Sequence, residues 1–262
     1  MSADAPRPRR PVALVTGASR GIGRAVAIEL GRQGFDLCLG ARAQEACEAL
    51  AREPVLQGVD VLSLALDVRD RRSIDAFAQA ALDRFGCIDL LVANAGIGGG
   101  DLFPAMRREE IEGLVETNFL GVLHSVHAVL PAMRRQRQGA VVLVASVAGE
   151  VALPGSALYA ATKAAVVRFA DGLRREVRRN GIRVTAILPG FVRTDMTQGL
   201  PFPMPGPEVV AKAVLAAYRR GRRTIVVPGF YRMLIWLARA APWLVDLVGR
   251  RILRDTDVPG RE

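Results

Sequence analysis

PVALVTGASRGIG, residues 11–23, is the stretch whose reading decides the fold. Its first half is apolar and suits a buried strand ending at Thr16. Gly17, Gly21 and Gly23 then follow in GxxxGxG spacing, and helix-like sequence begins. Glycines here permit a tight turn and let backbone N–H groups approach a pyrophosphate, with the helix dipole adding attraction. The spacing differs from the GxGxxG of many dinucleotide folds. Its weight comes from its position directly after the first strand of a βαβ unit.

Working outward, apolar runs at 35–41, 59–66, 88–93, 140–145, 182–188 and 223–227 join 11–16 as candidate strands. They lack period-two alternation, as strands buried on both faces do. Helix-like segments lie between them at 21–33, 43–52, 72–85, 107–137, 156–180 and 207–220. This alternation predicts an α/β fold: a doubly wound, parallel, seven-stranded sheet of the Rossmann type, in the order 3-2-1-4-5-6-7 with right-handed crossovers. Residues 199–207 carry four prolines and read as a short rigid loop. The expected organisation is a disordered tail over 1–10, one catalytic domain over 11–229 and an apolar, basic extension over 230–262.

The 262 residues are half hydrophobic, enough for a real core, and carry a net charge of +10. That charge is uneven. Residues 11–218 are nearly neutral at +2, whereas 219–254 hold nine arginines against Asp246 alone. Cys38, Cys47 and Cys87 form no CxxC pair, which argues against a disulfide scaffold or a cysteine zinc site. His124 and His127 read as helix-packing residues, so no metal is expected. No apolar h-region precedes Pro11, and no uninterrupted apolar run is long enough to span a bilayer. The expected compartment is the cytoplasm. No nucleic-acid motif is present.

Further motifs follow in fixed order: Asp67-Val68, Asn94-Ala95-Gly96, Asn118, Ser146, Tyr159-Ala-Ala-Thr-Lys163, and Pro189-Gly190 with Thr194. With the glycine loop, this series resembles the compact single-domain branch of the short-chain dehydrogenase/reductase family, from about Pro11 to Gly229. Seven motifs in one order are highly specific.

The tyrosine motif has its own physics. Tyr159 and Lys163, four apart on a helix, share a face. An ammonium about 4 Å from a phenol favours phenolate by up to about 4 kcal/mol, roughly three pKa units. Lys163 and Lys212 are the only lysines among 36 basic residues, so this chain uses Arg wherever charge alone suffices.

The resemblance implies a catalytic set of Asn118, Ser146, Tyr159 and Lys163. Ser146 would bind the substrate oxygen and Tyr159 would transfer its proton. Lys163 would also hold the nicotinamide ribose, and Asn118 would hold a relay water. Cofactor contacts would come from Gly17, Ser19, Arg20, Gly21, Ile22, Gly23, Arg42, Asp67, Val68, Asn94, Ala95, Gly96, Tyr159, Lys163, Pro189, Gly190, Val192 and Thr194. At the end of the second strand Ala41 stands where an NAD-preferring site wants a carboxylate. Arg20 and Arg42 instead suit a 2′-phosphate, which predicts NADP(H) over NAD(H). An apolar pocket is expected from Ser146, Val147, Val151, Leu153 and Phe191, with Ile97 and Val192 nearby.

The leading functional reading is an NADP(H)-dependent oxidoreductase interconverting a carbonyl and a secondary alcohol on a hydrophobic small molecule. One alternative is a reductase of 3-oxoacyl thioesters on acyl-carrier protein or coenzyme A. Arginine clusters at 134, 135, 137 and at 174, 175, 178, 179 would suit an acidic carrier, although solvated helix faces explain them too. A non-catalytic dinucleotide sensor or scaffold is the other alternative. The resemblance also implies a homodimer or homotetramer. Residues 230–254 hold both tryptophans, Trp236 and Trp243, with Pro242 expected to split two short helices. This extension fits a subunit contact, a cover over the substrate mouth, or peripheral contact with a membrane surface.

Overall fold

In the computed structural model, residues 9–99, 101–199, 201 and 203–255 are described. Seven parallel strands, β1 (Val12–Thr16), β2 (Asp36–Ala41), β3 (Val61–Ala65), β4 (Leu90–Ala93), β5 (Gly139–Val144), β6 (Ile182–Pro189) and β7 (Thr224–Val227), form one sheet. Their order is β3-β2-β1-β4-β5-β6-β7, the order the alternation predicts. β1 pairs β2 in the register Thr16↔Gly40 and pairs β4 through Leu14↔Leu91. The strand order therefore reverses beside β1, leaving a crevice at the carboxyl ends of β1 and β4.

Each strand feeds two cores. Leu14, Leu91, Val141 and Leu143 face one layer; Ala13, Val15, Val142 and Val144 face the other. That is why the strands read as unbroken apolar runs. The first layer is closed by α3 (Arg71–Phe85), α5 (Gly121–Gln136) and α6 (Ala157–Val177), through Phe77, Met133 and Val166. The second is closed by α1 (Gly21–Arg32), α2 (Gln44–Ala51) and α7 (Glu208–Arg220), through Leu30, Leu50 and Val214. Local chemistry sets the helix ends. Asp70 caps α3 by accepting from the Arg72 N–H at 2.9 Å, and Gly86 ends it in the left-handed region.

The single helix expected over 107–137 is instead α4 (Arg108–Val115), a π-turn (Glu116–Leu120) and α5. The π-turn contains Asn118, and wide turns of this kind gather at functional sites. Residues 1–8 of the expected tail lie outside the described residues. Arg9 grips Asp89 at 2.9 and 3.0 Å, and Arg10 bonds the Gly58 carbonyl. The chain ends in α8 (Tyr231–Ala240) and α9 (Pro242–Asp255), with Pro242 opening α9. No helix among the described residues is long and apolar enough to cross a membrane.

Candidate functional site

The glycine loop is built into the sheet. Gly17 and Ala18 donate to the Gly40 carbonyl of β2 at 2.7 and 3.1 Å. Gly17 is left-handed (φ 68°), and a Cβ on it would lie 2.9 Å from Ala95 Cα. A Cβ on Gly23 would lie 2.1 Å from the Gly17 carbonyl oxygen. α1 opens with no side-chain cap and no acid in its first turn, so its amides and dipole remain suited to a phosphate. Ser19 is half-buried in the loop, and Ile22 packs against the second core. Together with the close glycine packing, this loop fits a dinucleotide.

Asn94 acts as a brace. Its amide Nδ2 donates to the carbonyls of Thr16 and Gly17 at 3.0 and 3.1 Å. Buried Thr16 answers by accepting from the N–H groups of Asn94 and Ala95 at 3.0 and 3.1 Å. Thr16 was not among the residues singled out by sequence, because a threonine ending a strand carries no distinctive spacing. Thr194 comes within 3.4 Å of where a Gly21 Cβ would stand, so the segment after β6 reaches the glycine loop.

The acid and basic positions differ in detail from expectation. Asp67 is held by Arg69 at 2.6 Å, and that hydrogen bonding keeps its carboxyl below the usual carboxylate range. Arg20 is exposed and paired with exposed Asp195 at 2.8 Å, a contact of little net worth that a stronger anion can displace. Arg42 is exposed just beyond β2, whose last residue, Ala41, offers no carboxylate.

Ser146, Tyr159, Lys163 and Asn118 converge on the ends of β4 and β5. Ser146 Oγ accepts from the Ala148 N–H at 3.1 Å, reaches the Pro189 carbonyl at 3.5 Å and hydrogen-bonds Tyr159. Asn118 is fully buried. Its Oδ1 accepts from the Ile97 N–H at 2.8 Å and its Nδ2 donates to the Ile97 carbonyl at 2.9 Å. Gly96 leaves room for this group: a Cβ there would lie 3.2 Å from Asn118 Oδ1 and 3.4 Å from Lys163 Nζ.

Lys163 is buried and donates to the Val144 carbonyl at 3.0 Å, with Nζ 5.8 Å from the Tyr159 ring centre. The phenolate-favouring pairing inferred from the i, i+4 spacing is therefore corrected. Burial raises the Tyr159 pKa, opposed only by the Ser146 hydrogen bond, and burial pushes Lys163 down to about 8. The phenol therefore keeps its proton at neutral pH.

Lys163 gives the protein a pH signature. Between about pH 8 and the unfolded value of 10.5, the unfolded chain holds this proton and the native chain does not. Native stability therefore rises with pH across that window. In urea unfolding, the wild type is expected to gain on Lys163→Met by up to about 3 kcal/mol from pH 7.5 to 10.5. A constant difference between the two proteins over that range contradicts the assignment.

Val147 packs with the first core and Val192 with the second, and Val68 packs on Gly121. Their near-continuous apolar neighbours looked alike in sequence, so which side chains face a cavity was not readable. Ile97, Val151 and Leu153 are half-exposed and Phe191 is exposed. An open hollow of about 630 Å³ is lined by Arg193, Thr194, Asp195, Gln198 and Met204. Asn118, Ser146, Tyr159 and Lys163 are not among the residues that line it.

The C-terminal extension reaches the site as well. Gly190 lets the Tyr231 ring approach, since a Cβ there would lie 2.1 Å from it. The Phe191 N–H donates to Tyr231 Oη at 3.2 Å. Nothing local in the sequence links Tyr231 to Pro189-Gly190, because the contact spans the β6-to-α8 connection.

A protein-family model described as short chain dehydrogenase matches residues 11–202. The 3-oxoacyl-[acyl-carrier-protein] reductase FabG of Staphylococcus aureus (strain Mu50) is 40% identical over 189 residues, 72% of this chain and 77% of that one. A 3-oxoacyl-[acyl-carrier-protein] reductase of Synechocystis is 37% identical over 190 residues, 72% of this chain and 77% of that one. Among solved structures, a short chain dehydrogenase/reductase from Burkholderia phymatum in complex with NAD superposes with a TM-score of 0.83 at 26% identity, covering 90% of this chain and 95% of that one. A levodione reductase gives 0.78 at 29% identity, covering 86% and 98%.

Proposed function

The chain belongs to the short-chain dehydrogenase family, and from that premise we propose that it is an NADP(H)-dependent reductase of 3-oxoacyl thioesters. Membership makes it an oxidoreductase of that family. The substrate class rests on the 40% identity to a 3-oxoacyl-[acyl-carrier-protein] reductase. This favours the thioester reading over the broader one of any hydrophobic ketone or alcohol. The exposed arginines of α5 and α6 suit an acidic carrier or the phosphates of coenzyme A. The presence of Asn118, Ser146, Tyr159 and Lys163 together weighs against a non-catalytic sensor.

A nicotinamide dinucleotide bound at the glycine loop supplies the hydride. Gly17, Gly21 and Gly23 would make room for it, Lys163 and Asn94 would help to hold it, and Arg20 and Arg42 would meet a 2′-phosphate. Ser146 Oγ donates to the substrate carbonyl oxygen and orients it. Tyr159 then gives its phenolic proton to that oxygen as charge builds there. A phenol whose pKa burial raises arrives protonated, which suits reduction. Asn118 ties the Ile97 backbone to the π-turn and keeps the wall around Lys163 in register.

NADPH consumption with acetoacetyl-coenzyme A, set beside a simple hydrophobic ketone, tests the reading. Thioester turnover is expected to exceed ketone turnover, and an Arg20→Ala/Arg42→Ala double variant is expected to lose at least about tenfold in NADPH affinity while holding its NADH affinity. Equal dissociation constants for NADPH and NADH would overturn the cofactor choice. Ketone reduction without thioester reduction would return the substrate to the broader class.

A further inference from the structure

The extension presents an unusual surface. α8 is apolar on two opposite sides. Its inward side places Tyr231 on Gly190 and Ile235 in the first core. Its outward side, at i, i+3 and i+4, carries Met233, Trp236 and Leu237, all exposed, with Trp236 at 67%. A surface helix ordinarily puts charge there. α9 repeats the pattern. Gly249 is buried against Pro154, while Trp243 and Leu247, four apart, are exposed.

The charge around these side chains is almost all positive. Arg232, Arg250 and Arg251 are exposed, and Asp246 is the one acid in 219–254 against nine arginines. Arg239 is tied to Glu150, which holds α8 to the segment before α6. The geometry and charge single out one occupant. A second copy docking through a twofold axis would set the same arginines against one another. An anionic bilayer offers them opposite charge, and its headgroup region accepts tryptophan rings and arginine stems.

We propose that α8 and α9 form a peripheral anchor that lays Met233, Trp236, Leu237, Trp243 and Leu247 into the surface of an anionic lipid bilayer. The anchor lies on the backbone of the candidate site, with Tyr231 on Gly190 and Gly249 on Pro154. Acyl chains held at the membrane therefore meet the enzyme beside its mouth. Deleting the extension is a poor test because it removes Tyr231 from the Pro189-Gly190 turn. Point variants on the outward faces leave that contact alone.

The test uses the full chain with vesicles of pure phosphatidylcholine and of an equal mixture with phosphatidylglycerol. Because Trp236 and Trp243 are the only tryptophans, selectively excited tryptophan emission reports this surface alone. Co-sedimentation with the anionic vesicles at low salt is expected, with a blue-shifted emission and shielding from acrylamide. Binding should weaken at least about tenfold at high salt and on pure phosphatidylcholine. Met233→Glu/Leu247→Glu, which keeps both reporters, is expected to lose at least about tenfold in vesicle affinity with unchanged NADPH affinity and thermal midpoint. Failure of the wild type to bind anionic vesicles at low salt overturns the proposal. So does equal binding by the folded double variant, or tryptophans already shielded without lipid in step with a rising mass, which identifies a second copy as the occupant.

Discussion

Replacing Tyr159 by Phe is expected to lower turnover about 10²–10⁴-fold while NADPH affinity stays within about threefold. The change removes one oxygen, the one that hydrogen-bonds Ser146 and that the proposed mechanism makes the proton donor. The ring and its burial remain, so the fold and the dinucleotide cradle are left in place. Because burial raises the phenol pKa, reduction should hold steady across neutral pH, whereas alcohol oxidation, which needs the phenol deprotonated, should climb with pH. Near-normal turnover by a folded Tyr159→Phe protein would remove Tyr159 from the chemistry. A parallel loss of NADPH affinity would make it a binding residue instead.

Gly23→Ala is expected to weaken NADPH binding at least about tenfold and to cost about 1–3 kcal/mol of stability. The new methyl would lie 2.1 Å from the Gly17 carbonyl oxygen and 2.7 Å from Asn94 Nδ2. The first is backbone, so no rotamer change relieves it. Gly17 cannot retreat freely either, since it is left-handed and packed against Ala95. The strain therefore passes into the loop that receives the pyrophosphate and into the Asn94 brace. Titration of NADPH by fluorescence, with thermal unfolding alongside, reads both effects. Unchanged affinity in the variant would show that the close packing of Gly23 has no bearing on the cofactor.

Much of the fold was legible because its signals are local and repeated. Each strand is a short apolar run closed by turn residues, and the helices between them force parallel pairing. The motif at 16–23 could be placed at the sheet's carboxyl edge from chain order alone. Asn118 was identified by resemblance, but the π-turn that surrounds it was not, since a helix with a widened turn keeps nearly the same apolar rhythm. Val147 and Val192 pack with the two cores, a placement hidden in the sequence because an apolar side chain beside a site looks the same whether it faces a cavity or a core.

The sequence by itself determined the α/β sheet and its order, the glycine loop, the company of Ser146, Tyr159, Lys163 and Asn118, and the concentration of charge at the C-terminus. The sheet, the loop and the charge follow from spacing, periodicity and composition, which a chain carries before it folds; the four-residue set came from resemblance to a known family. Only the tertiary structure shows what surrounds the pair. A spacing of four residues puts Tyr159 and Lys163 on one helix face, but it does not say that Lys163 turns to the Val144 carbonyl or that both groups are desolvated. Desolvation depends on every element packed around a group, and here it moves the two pKa values in directions the spacing alone does not predict. It also took the folded chain to bring Tyr231 onto Gly190, and so to leave the tryptophan-bearing sides of α8 and α9 facing outward.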